Sequence, residues 1–223
     1  MSRLVAKYHM RSVTLPAGFD SKVGWVKGQE VMLQTRIFHG NAALGRLHIC
    51  IGSGAMQSLT VLGIPSLTCG APLLAIDYVR FGQKVAIHVL DLSPLSQAES
   101  TGDALLIDAR RILGDSTTDL DMPSFCEGHL SAQAILVRSG DPERHMRAVE
   151  RVVDGFDALL SRSEEVACRM SAVRAYLAAM RANKKEKKVL SRIFGEEFAH
   201  EFLDEHFFGE QVVARLKEPS LVS

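Results

Sequence analysis

The sequence lacks any apolar run that approaches the roughly 20 residues of a membrane-spanning helix. Its first residues, MSRLVAKYHMRSVTLPAGFD, also lack an apolar stretch long enough for a secretory signal. Neither charge is in excess, because 26 Lys and Arg residues balance 26 Asp and Glu residues. A chain of zero formal net charge has no overall electrostatic attraction to nucleic acid or to acidic membranes. These absences favour a cytoplasmic protein that binds neither a membrane nor nucleic acid.

Cysteine is scarce and dispersed, since Cys50, Cys69, Cys126 and Cys168 show no C-x-x-C spacing. A zinc ribbon, an iron–sulfur cluster and a disulfide framework are therefore poorly supported, and reduced thiols are expected. The two histidines of HEFLDEH lie about 240° apart around a helix, so they do not easily ligate one metal ion. We expect no metal site.

The first part of the chain has the pattern of a β-sheet. Short runs rich in Val, Ile and Leu, separated by Gly, Pro, Ser or Asn, are typical of strands. They are VGWVKG, EVMLQTRIF, GRLHICIG, SLTVLGIP, PLLAIDYVR, KVAIHVLDL and, farther along, SAQAILVR. Close spacing of the first six leaves no room for crossover helices, so the sheet should be antiparallel.

The second part of the chain has the pattern of helices. They are predicted at 99–113, from Asp141 onward, at 164–180 and within FGEEFAHEFLDEHFF. Strands followed by helices indicate the α+β class, with helices packed on the sheet. A length of 223 residues suits a single domain, residues 1–223.

Residues 72–94, PLLAIDYVRFGQKVAIHVLDLSP, form a predicted hairpin with unexpected polar residues. Asp77 lies in the first apolar run, and His88 and Asp91 lie in the second. A carboxylate in a covered sheet must be paired, protonated or next to a solvent-filled pocket. From its chemistry, Asp77 has either a structural or a functional role. Asp91 precedes Ser-Pro at a strand end, which favours a role in the turn.

A basic segment, RANKKEKKVLSR at 181–192, has two interpretations. It is either a solvated helix end, where cations suit the helix dipole, or an anion-binding surface. Such a surface would bind the carboxylates of a ligand or an acidic protein partner.

Three blocks of the sequence resemble the ferredoxin-dependent bilin reductases. The run from Pro72 to Pro94 is similar to the central hairpin of that family. ILVRSGDPERHMRAVERVVDGF and NKKEKKVLSRIFGEEFAHEFLDEHFF are similar to its later strand and helices, and the likeness extends over about residues 25–208. The resemblance implies a three-layer α/β/α sandwich with a central antiparallel sheet, which holds a linear tetrapyrrole such as biliverdin. It also implies no bound cofactor, with reduced ferredoxin as the external electron donor.

Particular residues match functional positions of the family. Asp77 matches its central proton-donating Asp, in a reaction that needs an acid of pKa near neutrality. Arg138 and Lys185 match cations that pair with the propionates of the bilin, as charge-assisted contacts would. Tyr176, Met180 and Asn183 are expected on one helical face as a pocket wall, and Tyr176 and Asn183 match family positions.

Other positions depart from the family pattern. In the phycocyanobilin-forming branch, a Glu stands where this chain has Cys50, and a His stands where it has Thr60, whereas His48 is retained. A second Asp that donates protons in several branches corresponds to Lys184. Cys50 and Thr60 are thus expected to contact the bilin without the usual proton chemistry.

These departures leave the activity open between alternatives. We hypothesise that His88 replaces the missing imidazole beside Asp77, as a second catalytic residue. The chain is then expected to be a divergent bacterial, monomeric enzyme that reduces a biliverdin-type bilin by two electrons. The alternatives are a bilin-binding protein that has lost reductase activity and a reductase of another open-chain tetrapyrrole.

Overall fold

A computed structural model of the protein describes residues 1–40, 43–82, 84–95, 102–139 and 141–216. Within these residues, nine strands form one sheet in which all pairings are antiparallel. The strands are β1 Arg11–Ser12, β2 Ser21–Val26, β3 Gln29–His39, β4 Leu44–Gly54, β5 Met56–Pro65, β6 Leu73–Phe81, β7 Lys84–Ser93, β8 Thr117–Asp119 and β9 Ile135–Ser139. Their order is β1-β3-β4-β5-β6-β7-β9-β8, and β2 also pairs with β3.

Helices cover both faces of this sheet. They are α1 Ser2–Lys7, α2 Asp103–Leu113, α3 Pro142–Arg162, α4 Met170–Arg181, α5 Lys184–Phe194, α6 Glu196–Glu201 and α7 Glu210–Arg215, with a π-helical turn at Phe202–Phe207. Helices α1 to α3 pack on one side, which we call the α3 face, and α4 to α7 pack on the other, the α5 face. The predicted α+β fold with a central antiparallel sheet between two helical layers is confirmed. Among the described helices, none has the length and apolar character needed to cross a membrane.

Side chains of each strand alternate between the two apolar cores. On β6, Leu74 and Ile76 lie in the core of the α3 face, whereas Leu73 lies in the core of the α5 face. A sheet covered on both sides requires apolar residues at successive positions, which explains the nearly continuous hydrophobic run before Asp77. This carboxylate therefore points between the sheet and a layer of helices.

Most predicted elements are present, with differences at their ends and in the short strands. Residues 103–113 of the predicted helix 99–113 are helical, and residues 99–101 lie outside the described part of the chain. Helix α3 begins as predicted, since Asp141 Oδ1 accepts hydrogen bonds from the backbone N–H groups of Glu143 and Arg144, both at 3.0 Å. The two-residue strand β1 and the three-residue strand β8 were not predicted.

The helix predicted from 164 begins only at Met170. The backbone N–H groups of Val166 and Arg169 donate instead to the carbonyls of Thr68 (2.8 Å) and Leu67 (2.9 Å). These hydrogen bonds, together with a bridge between Cys69 and Glu165, tie the segment in extended form to the connection between β5 and β6, and the helix begins only after them.

Candidate functional site

Asp77 lies in the middle of β6 and points to the α5 face. Its partner on β5 is Thr60, whose Oγ1 donates a hydrogen bond of 2.8 Å to Asp77 Oδ1. The cross-strand register extends this row to Cys50 on β4 and Thr35 on β3. A row of short polar side chains thus crosses the sheet beneath the C-terminal helices.

The environment of Asp77 suits proton transfer. Burial raises the pKa of its half-buried carboxyl to about 6, and the hydrogen bond from Thr60 opposes that rise without cancelling it. An acid with a pKa near neutrality both donates and recovers a proton under physiological conditions. Asp91 has a similarly raised pKa of about 6 but is fully buried and bonded to two serines, whereas Asp77 is half-buried and accepts a side-chain hydrogen bond from Thr60, which leaves it able to exchange a proton.

Cys50 has a different character. Its buried Sγ atom lies 3.6 Å from Thr35 Oγ1. Burial, followed by the charges of Glu186 and Asp77, raises the pKa of this thiol to about 12. The thiol therefore stays protonated at neutral pH and is a much weaker acid than the carboxyl of Asp77.

Helices α4 and α5 cover the polar row. Tyr176 of α4 is buried in the core cluster that contains Cys50, and the half-buried Met180 packs against that cluster. Asn183 is the N-cap of α5, because its Oδ1 accepts hydrogen bonds from the backbone N–H groups of Lys185 at 3.2 Å and Glu186 at 3.3 Å. The expectation that Asn183 shares one helical face with Tyr176 and Met180 is wrong, because α4 ends at Arg181 and Asn183 instead fixes the start of α5 over the sheet.

Glu186 is a component of the site that the sequence analysis missed. Its side chain is half-buried, and its Oε2 accepts a hydrogen bond of 3.3 Å from Asn183 Nδ2. Burial, followed by the charge of Asp77, raises the pKa of Glu186 to about 8. One signal in the sequence was available, since Asn-x-x-Glu has the spacing of a helix capping box, which turns the Glu back toward the helix start.

The hypothesis that His88 stands beside Asp77 is wrong. In the β6–β7 pairing, Asp77 lies opposite Val89, and His88 lies opposite Tyr78. Because adjacent residues of a strand point to opposite faces, His88 points to the α3 face. There its ring packs on His145 of α3, with centroids 3.7 Å apart, and the two Nδ1 atoms are in contact.

Asp91 shares the α5 face with Asp77 but serves the fold. Its carboxylate accepts hydrogen bonds from Ser131 Oγ at 2.6 Å and from the Ser131 backbone N–H at 3.2 Å, and Ser93 Oγ also donates to it. These bonds tie the end of β7 to the segment before β9, in line with the structural role that its sequence position favours.

Comparison with known proteins identifies the family. The family model described as ferredoxin-dependent bilin reductase matches residues 1–209. This chain belongs to the ferredoxin-dependent bilin reductases.

Individual bilin reductases are distant relatives. The 15,16-dihydrobiliverdin:ferredoxin oxidoreductase of Gloeobacter violaceus is 24% identical, over 97% of this chain and 95% of that protein. Phycocyanobilin:ferredoxin oxidoreductase of a Synechococcus species is 20% identical, over 87% of this chain and 82% of its own length. The crystal structure of tomato phytochromobilin synthase in complex with biliverdin has the same fold, with a TM-score of 0.69 and 20% identity over 97% of this chain and 85% of that chain.

Two cations of the chain lie at the edge of the site. Arg138 of β9 is exposed and shares the α5 face, because its neighbour Leu136 pairs with Val89 and Val89 pairs with Asp77. Ordinary strand spacing places the Cα atoms of Arg138 and Asp77 roughly 12 Å apart. Lys185 is exposed in the first turn of α5, above the same face.

The basic segment, residues 181–192, forms an exposed surface at the α4–α5 turn. Arg181, Lys184 and Lys188 are exposed, whereas Lys187 Nζ forms an ion pair of 3.0 Å with Asp204. A depression of 570 Å³ opens there; its lining residues are Arg181, Ala182, Lys184, Lys187, His200 and Asp204. This depression is separate from the polar row and does not include Asp77.

Proposed function

We propose that this protein binds a linear tetrapyrrole of the biliverdin type on the α5 face and reduces it by two electrons. Reduced ferredoxin supplies the electrons one at a time, without a cofactor bound to the protein. The observation that carries this proposal is Asp77, a carboxyl of pKa about 6 under the C-terminal helices of a bilin reductase fold. Asp77 and its Thr60 partner supply the acid that the reduction requires.

The proposed chemistry couples electron and proton transfer. A bilin that accepts one electron becomes more basic, and a positioned acid near neutrality protonates it efficiently. Thr60 holds Asp77 Oδ1, so the other carboxyl oxygen is the one to carry the proton. Asp77 then recovers a proton from solvent through its partly exposed side.

The proposed substrate contacts follow from the positions of the charged and polar residues. Arg138 and Lys185 bind the two propionates at opposite parts of the site, as charge-assisted partners. Tyr176 and Met180 of α4, with Asn183 at the start of α5, form the helical side of the site, and Cys50 and Thr60 line the sheet side.

The exposed cations of the basic segment provide a docking surface for ferredoxin in this proposal. Opposite charge raises the association rate of two proteins, and dissolved salt screens that attraction over about 10 Å at 0.1 M. We therefore expect turnover to fall as ionic strength rises. A turnover rate that does not depend on salt would place ferredoxin elsewhere.

A second candidate function is bilin binding without reduction. It is favoured by the neutral thiol of Cys50, which replaces an acidic residue in the row with a group whose pKa is about 12. Reduction of another open-chain tetrapyrrole is the third alternative, and it uses the same residues.

The test is an absorbance titration of the protein with biliverdin, followed by anaerobic addition of reduced ferredoxin. The proposal expects a bound-bilin spectrum that passes through a radical and then changes to that of a reduced product. Asp77→Asn should bind biliverdin but stop before product. A stable complex that does not respond to ferredoxin would favour the binding protein, and no complex would point to another tetrapyrrole.

A further inference from the structure

Glu186 is turned toward the sheet by its position in the first turn of α5. The preceding residues Lys184 and Lys185 are exposed, whereas Glu186 is half-buried. Asn183 fixes this orientation twice, because its Oδ1 accepts from the backbone N–H of Glu186 and its Nδ2 donates to the carboxyl. A single acid in a basic segment is thereby withdrawn from the solvent-exposed cations around it.

The titratable groups near Glu186 come from three different elements. Besides burial, the negative charge of Asp77 on β6 raises the pKa of Glu186. The charge of Glu186 in turn raises the pKa of Cys50 on β4 and of Tyr176 on α4. Burial is the main cause of the raised pKa of Cys50 and of Tyr176, and the charge of Glu186 adds to both. Glu186 of α5 and Asp77 of β6 therefore lie close enough to interact electrostatically, on the face of the sheet that α4 and α5 cover.

We propose that Glu186 is the second proton donor of the site and faces Asp77 from the helical side of the bilin-binding region. This inference rests on the proposed function and names a residue for its second proton. It also explains how the chain functions with Lys184 at the position where a second Asp is expected. Two acids on opposite sides of a ligand deliver protons to different atoms, which one acid cannot do without rebinding.

The reaction balances with these two acids. The bilin takes up two electrons from two molecules of reduced ferredoxin, an iron–sulfur protein, and two protons, one from Asp77 and one from Glu186. Two new bonds to hydrogen form, one double bond of the conjugated system is lost, and both carboxylates recover protons from solvent. At neutral pH, Glu186 begins the cycle protonated because its pKa is about 8, whereas Asp77, whose pKa is about 6, is ionised in most molecules and takes up a proton from solvent before it donates one.

The alternative explanation is that Glu186 only caps α5. The Glu186→Gln variant distinguishes proton donation from helix capping. Its side-chain carbonyl still accepts the hydrogen bond from Asn183 Nδ2, but it carries no transferable proton. Glu150→Gln is the matched control, because Glu150 is exposed on α3, on the opposite face of the sheet.

The first readout is an infrared pH titration of the protonated carboxyl groups without any bilin. The wild-type protein should lose this signal in steps near pH 6, from Asp77 and Asp91, and near pH 8, from Glu186. Glu186→Gln should remove only the step near pH 8, and Glu150→Gln should retain it. Asp77→Asn should move that step to lower pH, because the charge that raises the pKa of Glu186 is gone. A wild-type protein without the upper step would overturn the proposal.

The second readout is an anaerobic single turnover with biliverdin and reduced ferredoxin. Glu186→Gln should bind biliverdin with an affinity within about twofold of wild type, yet form product at least about 100-fold more slowly, as expected for loss of a general acid. An unchanged rate in Glu186→Gln, beside an active wild type, overturns the role of Glu186 and leaves the proposed function intact. A wild-type protein that binds no biliverdin or reduces none overturns both.

Discussion

Substituting Asp77 by Asn should stabilise the protein at neutral pH, although it removes the central acid. The folded state raises the pKa of Asp77 from an ordinary 3.8 to about 6 by burial. Between these values the folded state binds more protons than the unfolded state, so the carboxyl favours unfolding increasingly as pH rises from 3.8 to about 6. Asn has no charge to desolvate, and its side-chain carbonyl still accepts the Thr60 hydrogen bond.

The magnitude follows from the pKa change. A fully buried group would cost about 3 kcal/mol at 1.36 kcal/mol for each pKa unit, and the partial exposure of Asp77 reduces this to about 1 to 2 kcal/mol. Urea unfolding of Asp77→Asn and wild type at pH 8 and near pH 4 measures the difference. We expect a gain of about 1 to 2 kcal/mol at pH 8 that nearly disappears near pH 4. The exposed variant Asp121→Asn is the control.

Two results would refute this reasoning. A variant less stable than wild type at pH 8 would mean that the carboxylate makes net favourable contacts. A gain of equal size at both pH values would mean that the effect does not arise from ionisation of Asp77.

Three further predictions follow from the geometry. His88→Ala should lower the free energy of unfolding by about 2 to 4 kcal/mol, because it empties a fully buried ring position. It should leave biliverdin affinity and the product unchanged, and a changed product would mean that His88 belongs to the site. Gly24→Ala should destabilise by more than about 2 kcal/mol in urea unfolding, since a Cβ atom there would lie 2.3 Å from the Ile193 carbonyl oxygen of α5; unchanged stability would mean that α5 shifts readily. Arg138→Ala should weaken biliverdin binding about tenfold in an absorbance titration and less at high salt; equal affinity would exclude a propionate contact.

The strands and the antiparallel sheet were predictable because their apolar runs are continuous and closely spaced. Positions whose structure depends on distant backbone contacts were not predictable. The segment before Met170 has a helical pattern, but its N–H groups bond to the Leu67–Thr68 carbonyls, and periodicity contains no information about that partner. The three-residue strand β8 is too short for any alternating pattern.

The candidate site was predictable only in part, for a similar reason. Asp77 was identified because a carboxylate in an apolar strand is rare and demands an explanation. His88 was misplaced because its face relative to Asp77 depends on the register of the hairpin. That register sets Val89 opposite Asp77, and the alternation within one strand does not specify it. Glu186 was missed because its direction depends on the Asn183 cap and on the docking of α5.

The proposed function depends on proton transfer from Asp77 to a bound bilin. The most direct test is an anaerobic single turnover in which wild type and Asp77→Asn, each holding biliverdin, receive reduced ferredoxin and are followed by absorbance. Wild type should convert biliverdin to a reduced bilin, and Asp77→Asn should stop after the first electron. Equal product formation by both proteins would contradict this role of Asp77.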